Sequence, residues 1–109
     1  MTAPAWKTLK TQEYFGHKKK AHSVAWSCSG AKLVVDCTFA PAPLQRALEL
    51  GADVVMHSTT KFLGGHSDAA GGALIVSRDA TALHGELLGE RLVLGCPPGG
   101  LETWLLLRS

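Results

Sequence analysis

Three short apolar runs after residue 30 have the composition of buried β-strands. They are AKLVVD (31–36), ADVVMHS (52–58) and GGALIVS (71–77). The segment LQRALELG lies between the first two runs and places Leu44, Ala47 and Leu48 at helical spacing. We therefore predict that the first two runs are adjacent parallel strands, joined by a right-handed crossover helix over residues 44–50.

Two further segments predict helices after the third strand. DATALHGELLGERLVLG (79–95) has helical spacing weakened by Gly85 and Gly89, and LETWLLLRS (101–109) follows the helix break PPGG. This alternation of strands and helices is typical of an α/β layer and not of an all-β protein. Buried strands need cover on both faces, which one or two helices do not supply. We therefore predict a fragment of a larger, doubly covered sheet.

Residues 1–30 have a more polar composition than the rest of the chain. Their one strand-like run is HSVAW (22–26), which SCSG closes with small residues that favour a tight turn. We therefore expect this segment to be a short β-forming piece in front of the α/β part.

Composition and charge exclude several classes of protein. The 109 residues suit one small domain, the hydrophobic fraction is 46%, and the formal net charge is +2, so disorder, a membrane span and an obligate nucleic-acid partner are not expected. The cysteines Cys28, Cys37 and Cys96 form no C-x-x-C pair, which favours a reducing compartment over a disulfide framework or a zinc site. No targeting segment is recognisable, and we expect a cytoplasmic protein.

The stretch HSTTKFLGGHSD (57–68) carries the clearest chemical signal. It combines S-x-T-K with paired glycines, and it follows a D-x-T-F string (36–39) and LGADVVMHS at fixed separations. The chain contains no G-x-x-x-x-G-K-[ST], so a nucleotide P-loop is excluded. From about residue 33 to residue 109 the chain resembles the pyridoxal-phosphate-dependent transsulfuration enzymes, the cystathionine synthase and lyase family. The resemblance implies an α/β fold, as a fragment of the aspartate aminotransferase-like large domain.

The resemblance also implies a role for five residues. Lys61 would carry pyridoxal 5'-phosphate as a Schiff base and act as the catalytic residue, and Asp36 would face the pyridine nitrogen. Ser58 and Thr60 would offer hydroxyl hydrogen bonds to the phosphate, and Thr38 would help to hold the ring. These roles suit the positions, because the carboxyl ends of parallel strands meet at the edge of the sheet where ligands bind.

In this family the chemistry is elimination or γ-replacement on a sulfur amino acid, performed by oligomers whose sites borrow residues from a neighbour. We therefore expect an amino-acid substrate and self-association. Cys37 replaces the usual asparagine, and Phe62 replaces an aromatic residue with a hydroxyl group. The family's phosphate loop, ring-stacking tyrosine and substrate-binding arginine have no counterparts in the chain. We expect the chain to be inactive alone.

Other candidate features receive simpler interpretations. His57, His66 and Asp68 fit no standard zinc spacing, so we assign no metal. FGHKKKAHSVAWSCSGAKL resembles the start of a WD40 repeat similar to those of THO-complex subunit 3. We therefore divide the chain into a partial WD40-like segment (1–32) and the enzyme-like fragment (33–109), with Lys18–Lys20 as a solvated run. The alternative function is a non-enzymatic truncated or chimeric product, or an interaction module that uses the WD40-like segment.

Overall fold

The computed structural model describes the backbone of residues 6–9 and the whole of residues 31–109. The strands are β1 (Trp6–Leu9), β2 (Lys32–Asp36), β3 (Val54–Ser58) and β4 (Gly72–Val76). The helices are α1 (Thr81–Leu94) and α2 (Gly100–Arg108), and a π-helical turn (Thr59–Leu63) follows β3 directly. The three predicted strands after residue 30 and the two predicted C-terminal helices are confirmed.

The four strands form one mixed sheet in the order β1-β2-β3-β4. β1 and β3 both pair with β2 in parallel, and β4 pairs with β3 antiparallel. The register between the central strands sets Val35 beside Val55 and Asp36 beside Met56. The predicted parallel pairing of LVVD with VVMHS is therefore confirmed, as is the α/β fold class.

β1 is a strand that the sequence did not predict. Its residues WKTL lie in the segment for which only HSVAW was expected to form a strand. HSVAW itself lies outside the described residues, as do the other residues before 31 apart from β1. The proposed division at residue 32 stays a prediction.

The crossover helix predicted over residues 44–50 is wrong, because the structure has turns there. Leu50 N–H lies 3.3 Å from the Arg46 carbonyl and 3.1 Å from that of Ala47, and Gly51 ends the turn with φ +99°. Starting a helix fixes several dihedral angles for one hydrogen bond, so a short segment between Pro43 and Gly51 gains little from a regular helix. The turn still buries Ala47, at the position where helical spacing predicted an inward-facing residue.

A cluster of buried side chains lies on one face of the central strands, and Val54 is buried on the other face of β3. Alternate residues of β2 point to the face of this cluster, where they meet β3 and the turn after β2. The cluster comprises Leu33, Val35, Cys37, Ala47, Ala52 and Val55, with Leu48 against it. Full burial of a side chain such as Val35 contributes about 1.5–3 kcal/mol, so this cluster holds β2 and β3 together.

The two helices cover little of the described sheet. Leu83 is the one buried residue of α1, and α2 buries none. Large apolar side chains on both helices are exposed, including Val93, Trp104 and Leu107. Leu74 and Ile75 of β4 are exposed as well, so within the described residues β4 and both helices leave apolar surface uncovered, which agrees with the expectation of a fragment. No described helix is long and apolar enough to cross a membrane.

Candidate active site

Hydrogen bonds join the carboxyl ends of the two central parallel strands. The backbone N–H of Thr38 donates to Asp36 Oδ1 at 2.9 Å, just beyond the end of β2. The backbone N–H of Ser58, the last residue of β3, donates to Thr38 Oγ1 at 2.9 Å. Thr38 is buried and the other two residues are half-buried. The structure thus brings together three of the five predicted site residues in one network.

Lys61 lies in the π-helical turn that leaves β3. Its backbone departs from helical values, with φ −93° and ψ −121°, and its side chain is exposed. The turn is closed by its own backbone: Gly64 N–H donates to the Thr59 carbonyl at 2.9 Å, and Gly65 N–H donates to the Lys61 carbonyl at 2.7 Å. The turn therefore places Lys61 three positions after Ser58, beyond the carboxyl end of β3, with its side chain exposed.

Two glycines are required for this turn to fold back on itself. A Cβ on Gly64 would lie 2.6 Å from the Thr59 carbonyl oxygen, which is a backbone atom and does not move aside easily. Gly65 has φ +70°, in the left-handed region that side chains disfavour. The paired glycines of the HSTTKFLGGHSD stretch therefore permit the close backbone approach on which this turn depends.

Thr60, the fifth predicted site residue, is engaged with the glycine-rich loop. Its Oγ1 accepts a hydrogen bond from Gly71 N–H at 3.1 Å, and the neighbouring Thr59 N–H donates to the Gly71 carbonyl at 2.9 Å. The Thr60 hydroxyl therefore fixes the loop that leads into β4. The sequence did not indicate this role for Gly71, because the partners are 11 positions apart and no local pattern links them.

Two buried side chains, Cys37 and His57, directly precede the site residues Thr38 and Ser58. Burial, and to a lesser degree the neighbouring Asp36 charge, raises the pKa of the Cys37 thiol, which keeps the thiol neutral. His57 is 5% exposed on β3, and its Nδ1 has no hydrogen-bond partner among the described residues. Both residues precede site residues, so the backbone that presents Thr38 and Ser58 is anchored in the core.

The three residues considered as metal ligands have separate surroundings. His57 is buried, the exposed His66 places Nδ1 2.6 Å from the Gly64 carbonyl, and Asp68 pairs with Arg108. Within residues 31–109, no group of three His, Cys, Asp or Glu side chains is arranged to hold a metal ion.

The predicted site residues differ in exposure: Lys61 is exposed, Asp36 and Ser58 are half-buried, and Thr38 is buried. A cavity of about 90 Å³ lies nearby, between the glycine-rich loop and α2, with Asp68, Glu102 and Leu106 among its lining residues. Neither Lys61 nor Asp36 lines that cavity.

Comparison with known families explains the combination of lysine, carboxylate and hydroxyl groups. Residues 17–109 match the family model described as Cys/Met metabolism PLP-dependent enzyme. The chain belongs to this family. The match begins inside the segment compared with a WD40 repeat, and the WD40 interpretation finds no support in these comparisons.

Several curated relatives are cystathionine gamma-synthases. A probable cystathionine gamma-synthase from Herpetosiphon aurantiacus is 47% identical over 80 residues, which are 73% of this chain and 24% of that protein. The cystathionine gamma-synthase of Mycobacterium tuberculosis is 47% identical over 79 residues, which are 72% of this chain and 20% of that protein. The chain thus spans about a quarter or less of the relatives that it matches.

Solved structures of the family share the fold. A methionine gamma lyase from Micromonospora echinospora superposes with a TM-score of 0.81 at 40% identity, covering 95% of this chain and 29% of that one. A cystathionine gamma synthase from Xanthomonas oryzae pv. oryzae, in complex with cystathionine, gives 0.82 at 37% identity, covering 96% and 27%. The described sheet is therefore part of the fold of these PLP-dependent enzymes.

The residues of the site fit the family's cofactor, pyridoxal phosphate. The exposed Lys61 offers a primary amine, and Asp36 offers a half-buried carboxylate on the neighbouring strand. Thr38 Oγ1 already accepts a hydrogen bond from Ser58, so its hydroxyl proton can be donated to another group. The donor and acceptor set at this edge is therefore chemically suited to an aldehyde, a pyridine nitrogen and a phosphate.

Proposed function

We propose that residues 33–109 supply the lysine-bearing part of the cofactor site in an enzyme of the cystathionine γ-synthase and γ-lyase type. The observation that carries this proposal is the hydrogen-bonded connection from Asp36 through Thr38 to Ser58. It links the carboxylate on one parallel strand to the turn that bears Lys61 on the next. An amine and a carboxylate linked in this way match the aldehyde and the pyridine nitrogen, which lie at opposite ends of the pyridoxal ring.

Each residue has a distinct task in this proposal. Lys61 Nζ would hold the cofactor through its aldehyde, and its free amine would move protons at the substrate α and β carbons. The Asp36 carboxylate would lie against the pyridine nitrogen and favour its protonated form. Hydroxyl groups of Ser58 and Thr60 would donate to the phosphate, and Thr38 would orient the ring. Pyridoxal phosphate, when bound, supplies an electron sink for the substrate's α carbon.

We propose elimination or γ-replacement on a sulfur amino acid as the reaction class. The support is similarity to cystathionine gamma-synthases and to a methionine gamma lyase. We also propose that the chain self-associates. Exposed apolar side chains such as Leu74 on β4 and Trp104 on α2 favour this. A cytoplasmic location is proposed from the cysteines, since Cys37 and Cys96 are both free thiols.

Reductive trapping tests the cofactor assignment. Incubation of the chain with pyridoxal phosphate, followed by sodium borohydride and peptide mass mapping, should place the adduct on Lys61. Lys32 is the matched control, because its side chain is 45% exposed and lies 3.4 Å from Asp53 outside the site. Lys61→Arg should abolish the main adduct, whereas Lys32→Arg should leave it. Equal labelling of Lys7, Lys32 and Lys61 would show ordinary amine chemistry and contradict the assignment.

We propose further that the 109-residue chain does not turn over cystathionine at an enzymatic rate. Catalysis by this class requires that substrate be positioned and that water be excluded, and Lys61 is exposed. With added cofactor, the rate should stay within roughly tenfold of free pyridoxal phosphate, a difference of about 1.4 kcal/mol. A much faster rate that disappears in Lys61→Arg would show that the chain is a complete catalyst.

A further inference from the structure

Two phenylalanine rings meet at the surface beside the candidate site. Phe39 and Phe62 make an edge-to-face contact, with ring centroids 6.0 Å apart and an interplanar angle of 76°. Both are largely exposed, Phe39 at 70% and Phe62 at 63%. Because little of either ring is buried, core packing does not account for their arrangement. The contact is instead the specific geometry that aromatic pairs prefer.

The pair joins the two segments that must hold their relative position in the site. Phe39 directly follows Thr38, which is fixed by its hydrogen bonds to Asp36 and Ser58. Phe62 directly follows Lys61 in the π-helical turn. Hydrogen bonds tie this turn to itself and to the glycine-rich loop, whereas the ring contact ties it to the segment after β2.

We propose that Phe39 and Phe62 are positioning residues that orient the Lys61 turn toward the Asp36 and Thr38 end of β2. Without the ring contact, the hydrogen bonds that close the turn open more often, and the turn samples more orientations relative to β2. The lysine amine then spends less time near the carboxylate side of the site. That the oriented amine serves a cofactor rests on the proposed function; the orientation itself does not.

Hydrogen exchange of the Gly65 amide tests the orientation without any cofactor. This N–H donates to the Lys61 carbonyl at 2.7 Å and so reports opening of the turn. Phe39 lies 26 positions away from Gly65 in the sequence. In Phe39→Ala, exchange of the Gly65 amide should become about 2- to 12-fold faster, which is the ratio of rates that corresponds to the free energy of one aromatic pair contact. Phe39→Tyr keeps a ring and should restore the slow exchange. Leu44→Ala, which truncates another exposed apolar side chain of the same segment, should have no effect.

The amides of β3 distinguish local opening from general destabilisation. They should exchange at the same rate in Phe39→Ala as in the unmodified chain. An equal acceleration at β3 and at Gly65 would mean that Phe39 only stabilises the fold, and would overturn the proposal. Unchanged exchange at Gly65 in both Phe39→Ala and Phe62→Leu would also overturn it.

Reductive trapping with pyridoxal phosphate connects the orientation to the site. The yield of the reduced adduct at Lys61, relative to that at Lys32, should fall in Phe39→Ala by a factor similar to the change in Gly65 exchange. It should recover in Phe39→Tyr. If the unmodified chain shows no preference for Lys61 but Gly65 responds as described, the proposed function fails and the positioning role stands. If Lys61 is trapped selectively and neither measurement responds to Phe39→Ala, the positioning role is refuted and the proposed function stands.

Discussion

Thr38→Val isolates the hydrogen bond that joins the two strand ends of the candidate site. Thr38 is 6% exposed, and its Oγ1 accepts the Ser58 N–H at 2.9 Å. Valine has nearly the shape of threonine, with a methyl group in place of the hydroxyl. The substitution therefore opens no cavity but leaves the Ser58 N–H without its acceptor.

The expected loss follows from the burial of that amide. A buried donor left unpaired destabilises a protein by about 1–3 kcal/mol. Ser58 is half-buried, so water reaches it in part and the lower half of this range applies, about 1–2 kcal/mol. For a domain of this size the melting temperature should fall by roughly 4–16 °C.

Thr38→Ser is the matched control, because it keeps the acceptor and loses one buried methyl group, worth about 0.8 kcal/mol. Urea denaturation measures the unfolding free energy of both variants, and amide exchange at Ser58 separates the two causes. Exchange at Ser58 should accelerate in Thr38→Val and stay slow in Thr38→Ser. Slow exchange in Thr38→Val, together with a free energy within about 0.5 kcal/mol of the unmodified chain, would refute the role of this bond.

Two further predictions concern the glycines and the buried thiol. Gly64→Ala should destabilise the chain, because its Cβ would lie 2.6 Å from a backbone oxygen. Gly89→Ala in α1 is the control: its Cβ has open space, and the variant should be more stable by about 0.5–1 kcal/mol. Equal changes in the unfolding free energy of the two variants, measured by urea denaturation, would contradict this prediction. Burial, then the Asp36 charge, raises the pKa of Cys37, so the unfolded chain loses its thiol proton first as pH rises. The unfolding free energy should therefore fall above about pH 8.5 and fall less in Cys37→Ala; parallel pH profiles of the two proteins would count against it.

The sequence by itself determined the central strands, the C-terminal helices and the family. Apolar, β-branched runs specify buried strands locally, and the D-x-T-F and S-x-T-K strings place Asp36, Thr38 and Lys61 at strand ends. Parallel pairing of β2 with β3 then followed from the rules for α/β connections. The same local reasoning failed over residues 44–50: Ala47 is buried as the helical spacing predicts, but Leu44 is exposed, and the spacing does not show whether a helix is long enough to form.

Only the tertiary structure decided which distant groups meet. β1 joins the sheet through backbone pairing with β2, which its short sequence WKTL does not predict. The same holds for Thr60 with Gly71, 11 positions apart, and for Asp68 with Arg108, 40 positions apart. Phe39 meets Phe62 because parallel pairing carries both segments to one sheet edge. Such contacts depend on the closing of long loops, and no periodicity in the chain records them.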